Sequence, residues 1–423
     1  MDEGGPVSEW RDVPLRDLCH SVQYGVTASA AKDRNEGPRL LRITDIVPPR
    51  IDWESVPVCD LPETKIAKYQ LHQGDIVVAR SGSVGYAKLV DHPPRRAVFA
   101  SYLVRFQVQE GIDARYVGHV VQSTAYREFV IAHAGGAAQP NANAKTLGAF
   151  PVPIPTLPTQ RRIAAALSAF DELIEINERR IELLEDLARS LYREWFVRFR
   201  FPGHAEVDFM SSELGSVPDE WAVRRLGDVA SLNKRILRAT DLPDPLRYLD
   251  ISSVGVGRLN EPTVIEAARA PGRARRSLRD GDVLWATVRP NRRAHGLVHD
   301  PPPDLVASTG LAAISPASIP ASFLFLHVSH PAFTEYLVSR ATGSAYPAVR
   351  PIDFEQAPIV VPSASILEAF DQVAAPSLRL ASALVDQNRA LARGRDLLLP
   401  RLVTGRLDIS DIDLGELLPP EAA

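Results

Sequence analysis

The longest regular pattern in the chain is residues 159–195, TQRRIAAALSAFDELIEINERRIELLEDLARSLYREW. One set of positions recurs there at alternating spacings of 4 and 3, namely Ile163, Leu167, Phe170, Ile174, Asn177, Ile181, Leu184, Ala188, Leu191 and Trp195. This unbroken heptad pattern predicts a coiled-coil helix of about 37 residues, roughly 55 Å long. Asn177 is a polar residue in this seam, and such residues are typical of positions that fix helix register.

A weaker heptad pattern lies over residues 364–405. One of its rows is Phe370, Ser377, Leu384, Leu391 and Leu398. Polar residues interrupt this seam, and Pro376 predicts a kink or a delayed helix start. We expect the two helices to pair with each other in antiparallel fashion through Phe170, Ile174, Asn177, Ile181, Leu184, Leu191, Trp195, Leu384, Leu391 and Leu398. The alternative is that both are ordinary amphipathic core helices.

The chain repeats itself. A shift of 207 residues aligns Gly74-Asp75 with Gly281-Asp282, Ala100-Ser101 with Ala307-Ser308, Pro151 with Pro358 and Pro155 with Pro362. The repeat unit is therefore about half of the chain, which predicts a tandem pair of domains rather than a solenoid.

Within each repeat, short β-branched runs separated by Gly and Pro turns precede the helical pattern, which predicts a mixed α/β (α+β) fold. The expected architecture is two tandem domains separated by two long antiparallel coiled-coil helices, with a pseudo-twofold internal repeat. The expected segments are a first domain at 1–157, a central helix at 158–200, a second domain at 201–363, a C-terminal helix at 364–405 and an acidic tail at 406–423.

Composition excludes several classes of protein. The net charge of -4 argues against a uniformly basic nucleic-acid coat, and two cysteines are too few for a disulfide framework or a cysteine-based zinc site. Neither a phosphate-binding P-loop nor an H-E-x-x-H or G-x-S-x-G motif occurs, so we expect neither a metal nor a catalytic residue in this chain. Because it has neither a long apolar run nor a signal peptide, we expect a cytoplasmic protein.

Charge is unevenly placed: residues 269–293 hold eight arginines and two acidic residues. Arginine suits both phosphate contacts and bidentate reading of guanine. The candidate DNA-binding residues of the second repeat are Arg273, Arg275, Arg276, Thr287, Arg289, Asn291, Arg292, Arg293, Ser308 and Thr309. Those of the first repeat are Arg42, Thr44, Arg80, Ser81, Ser83, Asn141, Asn143 and Lys145. With 42 arginines and 6 lysines in the chain, a solvated arginine-rich face is the alternative.

Several long segments resemble, in family order, the specificity (S) subunit of type I restriction-modification systems. They are PTLPTQRRIAAALSAFDELIEINERRIELLEDLARSLYREWFVRFRFPG (155–203), SSELGSVPDEWAVRRLGDV (211–229), RYLDISSV (247–254), APGRARRSLRDGDVLWATVRPNRRAHGLV (270–298) and LVASTGLAAI (305–314). The resemblance runs nearly end to end, and residues up to 149 match least closely.

The resemblance implies a non-catalytic subunit whose two domains are target recognition domains, each reading one half of an asymmetric, bipartite site in double-stranded DNA. It implies that the paired helices act as a spacer and as a docking surface for two adenine methyltransferase (M) subunits. The partners would carry S-adenosylmethionine, and two ATP-dependent restriction (R) subunits would add ATP, Mg and cleavage of unmodified DNA.

Two other functions stay open at this point. The chain could be a coiled-coil scaffold or adaptor that binds protein partners without DNA specificity. A self-sufficient modifying enzyme is disfavoured, because neither D-P-P-Y nor N-P-P-[FY], the usual adenine-methyltransferase motif, occurs in the sequence.

Overall fold

The computed structural model of the protein describes residues 10–31, 36–48, 50–135, 140–343 and 345–409. The chain divides into a first unit, Met1–Asn177 with Gln387–Ala423, and a second unit, Glu178–Asp386. Two long helices, α6 (Leu157–Tyr192) and α11 (Ala364–Val403), each contribute residues to both units. Most of the predicted acidic tail, residues 410–423, lies outside the described residues.

The first unit contains ten strands and five short helices among its described residues. The strands are β1 (Arg11–Pro14), β2 (Cys19–Tyr24), β3 (Ala30–Ala31), β4 (Arg39–Leu41), β5 (Val58–Cys59), β6 (Ile76–Ala79), β7 (Ala87–Leu89), β8 (Ala97–Phe99), β9 (Leu103–Val108) and β10 (Pro151–Ile154). The helices are α1 (Ile43–Ile46), α2 (Glu63–Tyr69), α3 (Ala114–Val121), α4 (Thr124–His133) and α5 (Ala144–Leu147).

The strands of the first unit form two four-stranded sheets, β2-β9-β6-β7 and β3-β5-β4-β8, and a separate β1-β10 pair. Strand β6 lies inside its sheet and is apolar along its whole length. Its alternate residues serve two different cores, with Ile76 and Val78 in one cluster and Val77 and Ala79 in another. A continuous apolar run is what a strand buried on both faces requires.

The second unit contains twelve strands and four short helices among its described residues. The strands are β11 (Phe209–Ser212), β12 (Gly215–Pro218), β13 (Ala222–Arg225), β14 (Ala230–Leu232), β15 (Leu246–Leu249), β16 (Thr263–Ile265), β17 (Ala274–Ser277), β18 (Val283–Ala286), β19 (His295–Leu297), β20 (Leu305–Ser308), β21 (Leu311–Pro316) and β22 (Pro358–Val361). The helices are α7 (Leu226–Val229), α8 (Ala321–Ser329), α9 (Pro331–Arg340) and α10 (Pro351–Glu355).

The predicted internal repeat is confirmed in the strand order. The sheet β14-β21-β18-β19 has the order of β2-β9-β6-β7, and β13 pairs with β22 as β1 pairs with β10. Strand β18 again serves two cores, with Val283 and Trp285 in one cluster and Leu284 and Ala286 in the other. The mixed α/β fold class is confirmed as well.

The repeated Gly-Asp pair has the same structural role in both units. Gly74 and Gly281 have φ of +85° and +82°, a left-handed conformation that glycine adopts at low cost. In the first unit, the buried Asp75 carboxylate accepts hydrogen bonds from the His72 amide at 2.9 Å and from Arg105 at 3.3 Å. Each turn leads directly into an inner strand of its sheet, β6 in the first unit and β18 in the second, which we call the central strand.

Asp282 repeats this arrangement in the second unit. Its carboxylate accepts from the Arg279 amide at 2.7 Å and pairs with the Arg235 guanidinium. The aspartate is thus the same in both units, while its arginine partner comes from strand β9 in the first unit and from the segment after β14 in the second.

In the first unit, the start of α6 packs antiparallel against the end of α11. Asn177, buried as predicted for a seam residue, donates to Gln387 Oε1 at 3.0 Å and to Asn388 Oδ1 at 2.9 Å. Two turns earlier, Asp171 pairs with Arg395. This polar layer sets which residues of the two helices face each other.

In the second unit, the remaining parts of the same helices pair through apolar contacts. Ile181, Ala381 and Leu384 form a buried cluster, against which Leu184 and Val385 pack. Further along, Tyr192 and Phe370 join the main core with ring centroids 6.3 Å apart. The predicted antiparallel pairing is therefore confirmed within each unit.

The helix ends differ from the sequence prediction. Helix α6 ends at Tyr192, and a π-helical turn follows at Arg193–Val197, so Trp195 lies beyond the regular heptad. The turn places Phe196 against Phe323 and Phe370, with both centroid distances 4.8 Å. Packing of this aromatic side chain accounts for the departure from the α-helical period.

Of the two effects predicted for Pro376, a kink or a delayed helix start, the delayed start is wrong. Helix α11 runs through the proline from Ala364 to Val403. Phe370, Ala374 and Leu378 on both sides of the proline are buried in the main core of the second unit. Tertiary packing therefore outweighs the local preference of proline for ending a helix.

We predict that Ile181→Asp lowers the free energy of unfolding by about 3 kcal/mol, because it places a charge in a buried cluster. Leu183→Asp, at a residue 56% exposed on the same helix, is the matched control and should change it by less than about 0.5 kcal/mol. Urea denaturation of both variants tests this. Equal losses would contradict the assigned helix faces.

We also predict acid sensitivity of the second unit. Burial lowers the pKa values of His295 and His327 to about 4, whereas both are near 6.5 in an unfolded chain. Between these values the unfolded chain binds more protons, so stability is complete above pH 6.5 and falls as the pH decreases, by about 1.4 kcal/mol per pH unit for each histidine.

Urea unfolding followed by tryptophan fluorescence at pH 7, 6 and 5 measures this slope. His327→Gln should reduce it by the contribution of one group. A slope that is the same in the variant and in the original chain would show that His327 does not cause it.

Candidate nucleic-acid interface

In each unit, the central strand leads into a loop that is held by a second segment. We call residues 80–85 and 287–293 the strand loops, and residues 140–143 and 345–349 the facing segments. The Ala142 amide donates to Arg80 O at 2.8 Å in the first unit, and the Val349 amide donates to Thr287 O at 2.9 Å in the second. Isolated β-bridges, Ser81 with Asn141 and Val288 with Ala348, extend both pairings. The backbone frame is thus the same in both units.

In the first unit, this frame brings Arg80 and Asn141 together. The Arg80 guanidinium lies over the Tyr24 ring, 5.0 Å from its centroid, and donates to Asn141 Oδ1 at 3.4 Å. The Tyr24 hydroxyl accepts from the Ala144 amide at 2.9 Å, which fixes the ring. Asn143 caps α5 by accepting from the Thr146 amide at 2.9 Å.

The other predicted residues of the first unit surround this group. Ser81 and Ser83 lie in the strand loop itself, and Lys145 is exposed in α5. A Cβ at Gly82 would meet Ile43 of α1 at 3.9 Å, so Arg42 and Thr44 belong to the same region of the surface. Arg42 is paired with Asp45 at 2.8 Å, and this hydrogen bond raises the pKa of the guanidinium.

In the second unit, an arginine also lies over a tyrosine, but it comes from a position two residues further along the strand loop. The Arg289 guanidinium lies 4.6 Å from the centroid of Tyr346, whose side chain is 68% exposed. Asn291 and Arg292 are exposed in the following turn. Arg293 instead supports this turn, because its guanidinium donates to Ser329 O at 2.8 Å.

The other predicted residues of the second unit are exposed or half-buried, apart from two that are buried. Arg273 is exposed and donates to the Tyr248 hydroxyl at 3.2 Å, and Arg275 donates to Ala274 O at 2.8 Å. Thr287 donates its hydroxyl to Gly310 O at 3.0 Å, and Thr309 is exposed.

Two predicted contacts need correction. Arg276 and Ser308 are buried, so neither offers a free surface group. Alternation along β17 turns Arg276 inward, where desolvation lowers the pKa of its guanidinium. The Ser308 hydroxyl accepts from the Gly310 amide at 3.2 Å and stabilises the turn before β21.

Sequence reasoning missed the tyrosines. Tyr24, Tyr102 and Tyr346 are 41%, 60% and 68% exposed. Tyr24 ends β2, Tyr346 lies in a facing segment, and Tyr102 lies in the turn before β9, where its carbonyl accepts from the Arg80 amide at 2.9 Å. Their signal in the sequence is weak, because a single tyrosine near a turn is as typical of a buried residue as of an exposed one. An arginine over an exposed ring is a stable cation–π pair whose N–H groups can still reach a ligand.

The exposed apolar residues of the first long helix are not the predicted docking residues, which are buried or half-buried. Ile181 and Leu384 are buried in the helix pair, whereas Leu183 and Leu187 of the second unit are 56% and 48% exposed on the same helix. Leu173 and Ile176 of the first unit are 50% and 55% exposed. The residues that pair the helices therefore differ from those that form the exposed apolar face. None of these four exposed residues was predicted as a docking residue.

Within the part of the chain that the structure describes, no group of three or more His, Cys, Asp or Glu residues is arranged to hold a metal ion. None of the described helices combines the length and apolarity needed to cross a membrane.

Comparisons with known proteins bear on this surface. Residues 7–186 match the family model described as the type I restriction modification DNA specificity domain. The chain is 24% identical over 350 residues to the type I restriction enzyme MjaIX specificity subunit of Methanocaldococcus jannaschii, covering 80% of this chain and 79% of that protein. It is 22% identical over 471 residues to the HindI specificity subunit of Haemophilus influenzae, covering 95% and 100% of the two chains.

A solved structure shares the fold. The crystal structure of the type I restriction-modification S subunit from M. genitalium superposes with a TM-score of 0.60 at 15% identity, covering 94% of this chain and 97% of that one.

Proposed function

We propose that this chain is a type I restriction-modification specificity subunit, whose role is DNA sequence specificity, and that each of its two units reads one half of an asymmetric, bipartite DNA site. The segments 1–157 and 201–363 then serve as target recognition domains. The helical segments 158–200 and 364–405 serve as spacer, and 406–423 is an acidic tail.

The observation that supports two different half-sites is the exchange of side chains on one backbone frame. By the shift of 207 residues, Arg80 corresponds to Thr287 and Gly82 to Arg289. Each unit still places an arginine over a tyrosine, but from a different loop position. The same frame with different donors is suited to reading different base pairs.

The proposed DNA-contacting surface consists of the predicted residues that remain accessible or lie in the strand loops. They are Arg42, Thr44, Arg80, Ser81, Ser83, Asn141, Asn143 and Lys145 in the first unit, and Arg273, Arg275, Thr287, Arg289, Asn291, Arg292, Arg293 and Thr309 in the second. Because the net charge is -4, much of the non-specific affinity for phosphates would come from partner subunits.

The reaction would belong to those partners. Two adenine methyltransferase subunits would dock on the paired helices and methylate adenine with S-adenosylmethionine, after flipping the base out of the duplex. Two restriction subunits with ATP and Mg could join them and cleave unmodified DNA. This chain would contribute recognition and no catalytic residue.

The test is sequencing of modified bases in a methylation-free bacterial host. We predict that co-expression of this chain with its adenine methyltransferase subunit methylates adenines within one asymmetric split motif, and that neither protein does so alone. A stable complex that modifies no DNA would favour the alternative of a coiled-coil adaptor. Methylation by the purified chain without a partner would favour an enzyme.

We further predict that Leu183→Asp reduces methylation on co-expression at least tenfold while the chain keeps its stability, because the change places a charge on the exposed apolar face of α6. Co-purification of the two subunits measures docking directly. The control is Glu182→Gln, a substitution at the neighbouring, partly exposed residue that leaves the apolar face intact. Normal co-purification of the Leu183→Asp variant would place the docking surface elsewhere.

A further inference from the structure

The Arg289–Tyr346 pair of the second unit is more constrained than an ordinary surface arginine. Arg289 has φ of 54° and ψ of 60°, a left-handed conformation that costs an L-residue about 1 kcal/mol. At the corresponding position, the first unit has Gly82 with φ of +69°. The second unit thus places a long cationic side chain where the frame itself favours glycine.

The backbone around Arg289 holds this conformation. Its amide donates to Pro347 O at 2.7 Å, and the Val349 amide donates to Thr287 O at 2.9 Å. Both bonds join the strand loop to the facing segment that carries Tyr346. The guanidinium and the ring are therefore brought together by fixed backbone, so little conformational freedom remains to be lost when a ligand binds.

The guanidinium has no hydrogen-bond acceptor of its own in the described part of the chain. Its face lies over the Tyr346 ring at 4.6 Å, while arginine carries five N–H donors along its edge. Arg80 of the first unit differs in this respect, because it already donates to Asn141. Strain without an internal hydrogen bond is what a preorganised binding group shows.

We propose that Arg289, positioned by the Tyr346 ring, reads a guanine in the half-site bound by the second unit; this inference rests on the proposed function. Guanine presents two acceptors, O6 and N7, on its major-groove edge, and a planar guanidinium donates to both. Adenine has an amino donor in place of O6, and thymine and cytosine lack N7, so the other bases satisfy at most one of the two bonds. Tyr346 acts as a positioning residue.

The chemistry also distinguishes base reading from a phosphate contact. A phosphate contact would contribute the same affinity to every sequence, whereas a base contact contributes it at one position only. Lysine can replace arginine at a phosphate but has no planar pair of donors for guanine.

The first test uses the complex with the methyltransferase subunit in the methylation-free host. The original chain should give a motif with a fixed guanine, on one strand of the second half-site, and Arg289→Lys and Arg289→Ala should relax that position alone. Arg224→Ala, at an exposed arginine of β13, is the control and should leave the motif unchanged. Absence of any motif with the original chain would overturn the proposed function itself.

The second test measures binding of the purified complex to duplexes in which that guanine is replaced by 7-deazaguanine or adenine. Loss of a bidentate contact should weaken binding roughly 5- to 150-fold for the original chain, and these replacements should matter little to Arg289→Ala. Tyr346→Ala should reduce the discrimination, and Tyr346→Phe should retain it, because the ring face is kept. Thermal denaturation confirms that the variants fold.

Uniform weakening on all duplexes with an unchanged motif would identify Arg289 as a phosphate contact and overturn the inference. A second half-site without a fixed guanine on either strand would also overturn it.

Discussion

Burial of both faces of the central strand is the constraint on which each unit depends. Val77 and Val78 in the first unit, and Leu284 and Trp285 in the second, point into different cores, so the strand cannot shift by one residue without exchanging the two sets. A Gly-Asp turn, whose buried carboxylate pairs with an arginine, fixes where each strand begins. The loop at its other end therefore starts from a rigid position.

If the strand loops contact DNA as proposed, this rigidity would let the recognised sequence vary while the fold stays the same. The hydrogen bonds that hold the strand loops are made by backbone amides and carbonyls, which do not depend on side-chain identity. The exchange of Arg80 and Gly82 for Thr287 and Arg289 is then a change of donors on a constant frame. Under the proposed function, a DNA-reading subunit would alter its target in this way without repacking a core.

Much of the fold could be predicted from the sequence, because helix pairing and strand burial depend on periodic patterns. The seam through Ile181 and Asn177, the internal repeat and the mixed fold class all follow from spacing. Passage of α11 through Pro376 and the π-helical turn that contains Phe196 could not be predicted, since long-range packing of Phe370 decides both. Only part of the candidate site could be predicted. The arginines stand out in the sequence by their charge, but their pairing with Tyr24 and Tyr346 joins residues that are far apart in the sequence.

Residues from near the start and from near the end of the described chain pack in one core. Leu399, Leu402 and Ile409 are buried among residues of β2, β9 and α3 in the first unit. A ribosome that has made residues 1–177 has therefore not yet made all of the apolar surface that this unit buries. The second unit, whose residues are contiguous in the chain, can complete its core before the first. During synthesis, the core of the first unit is therefore completed only after the whole second unit has been made, and a chain that stops before Leu399 leaves this core incomplete.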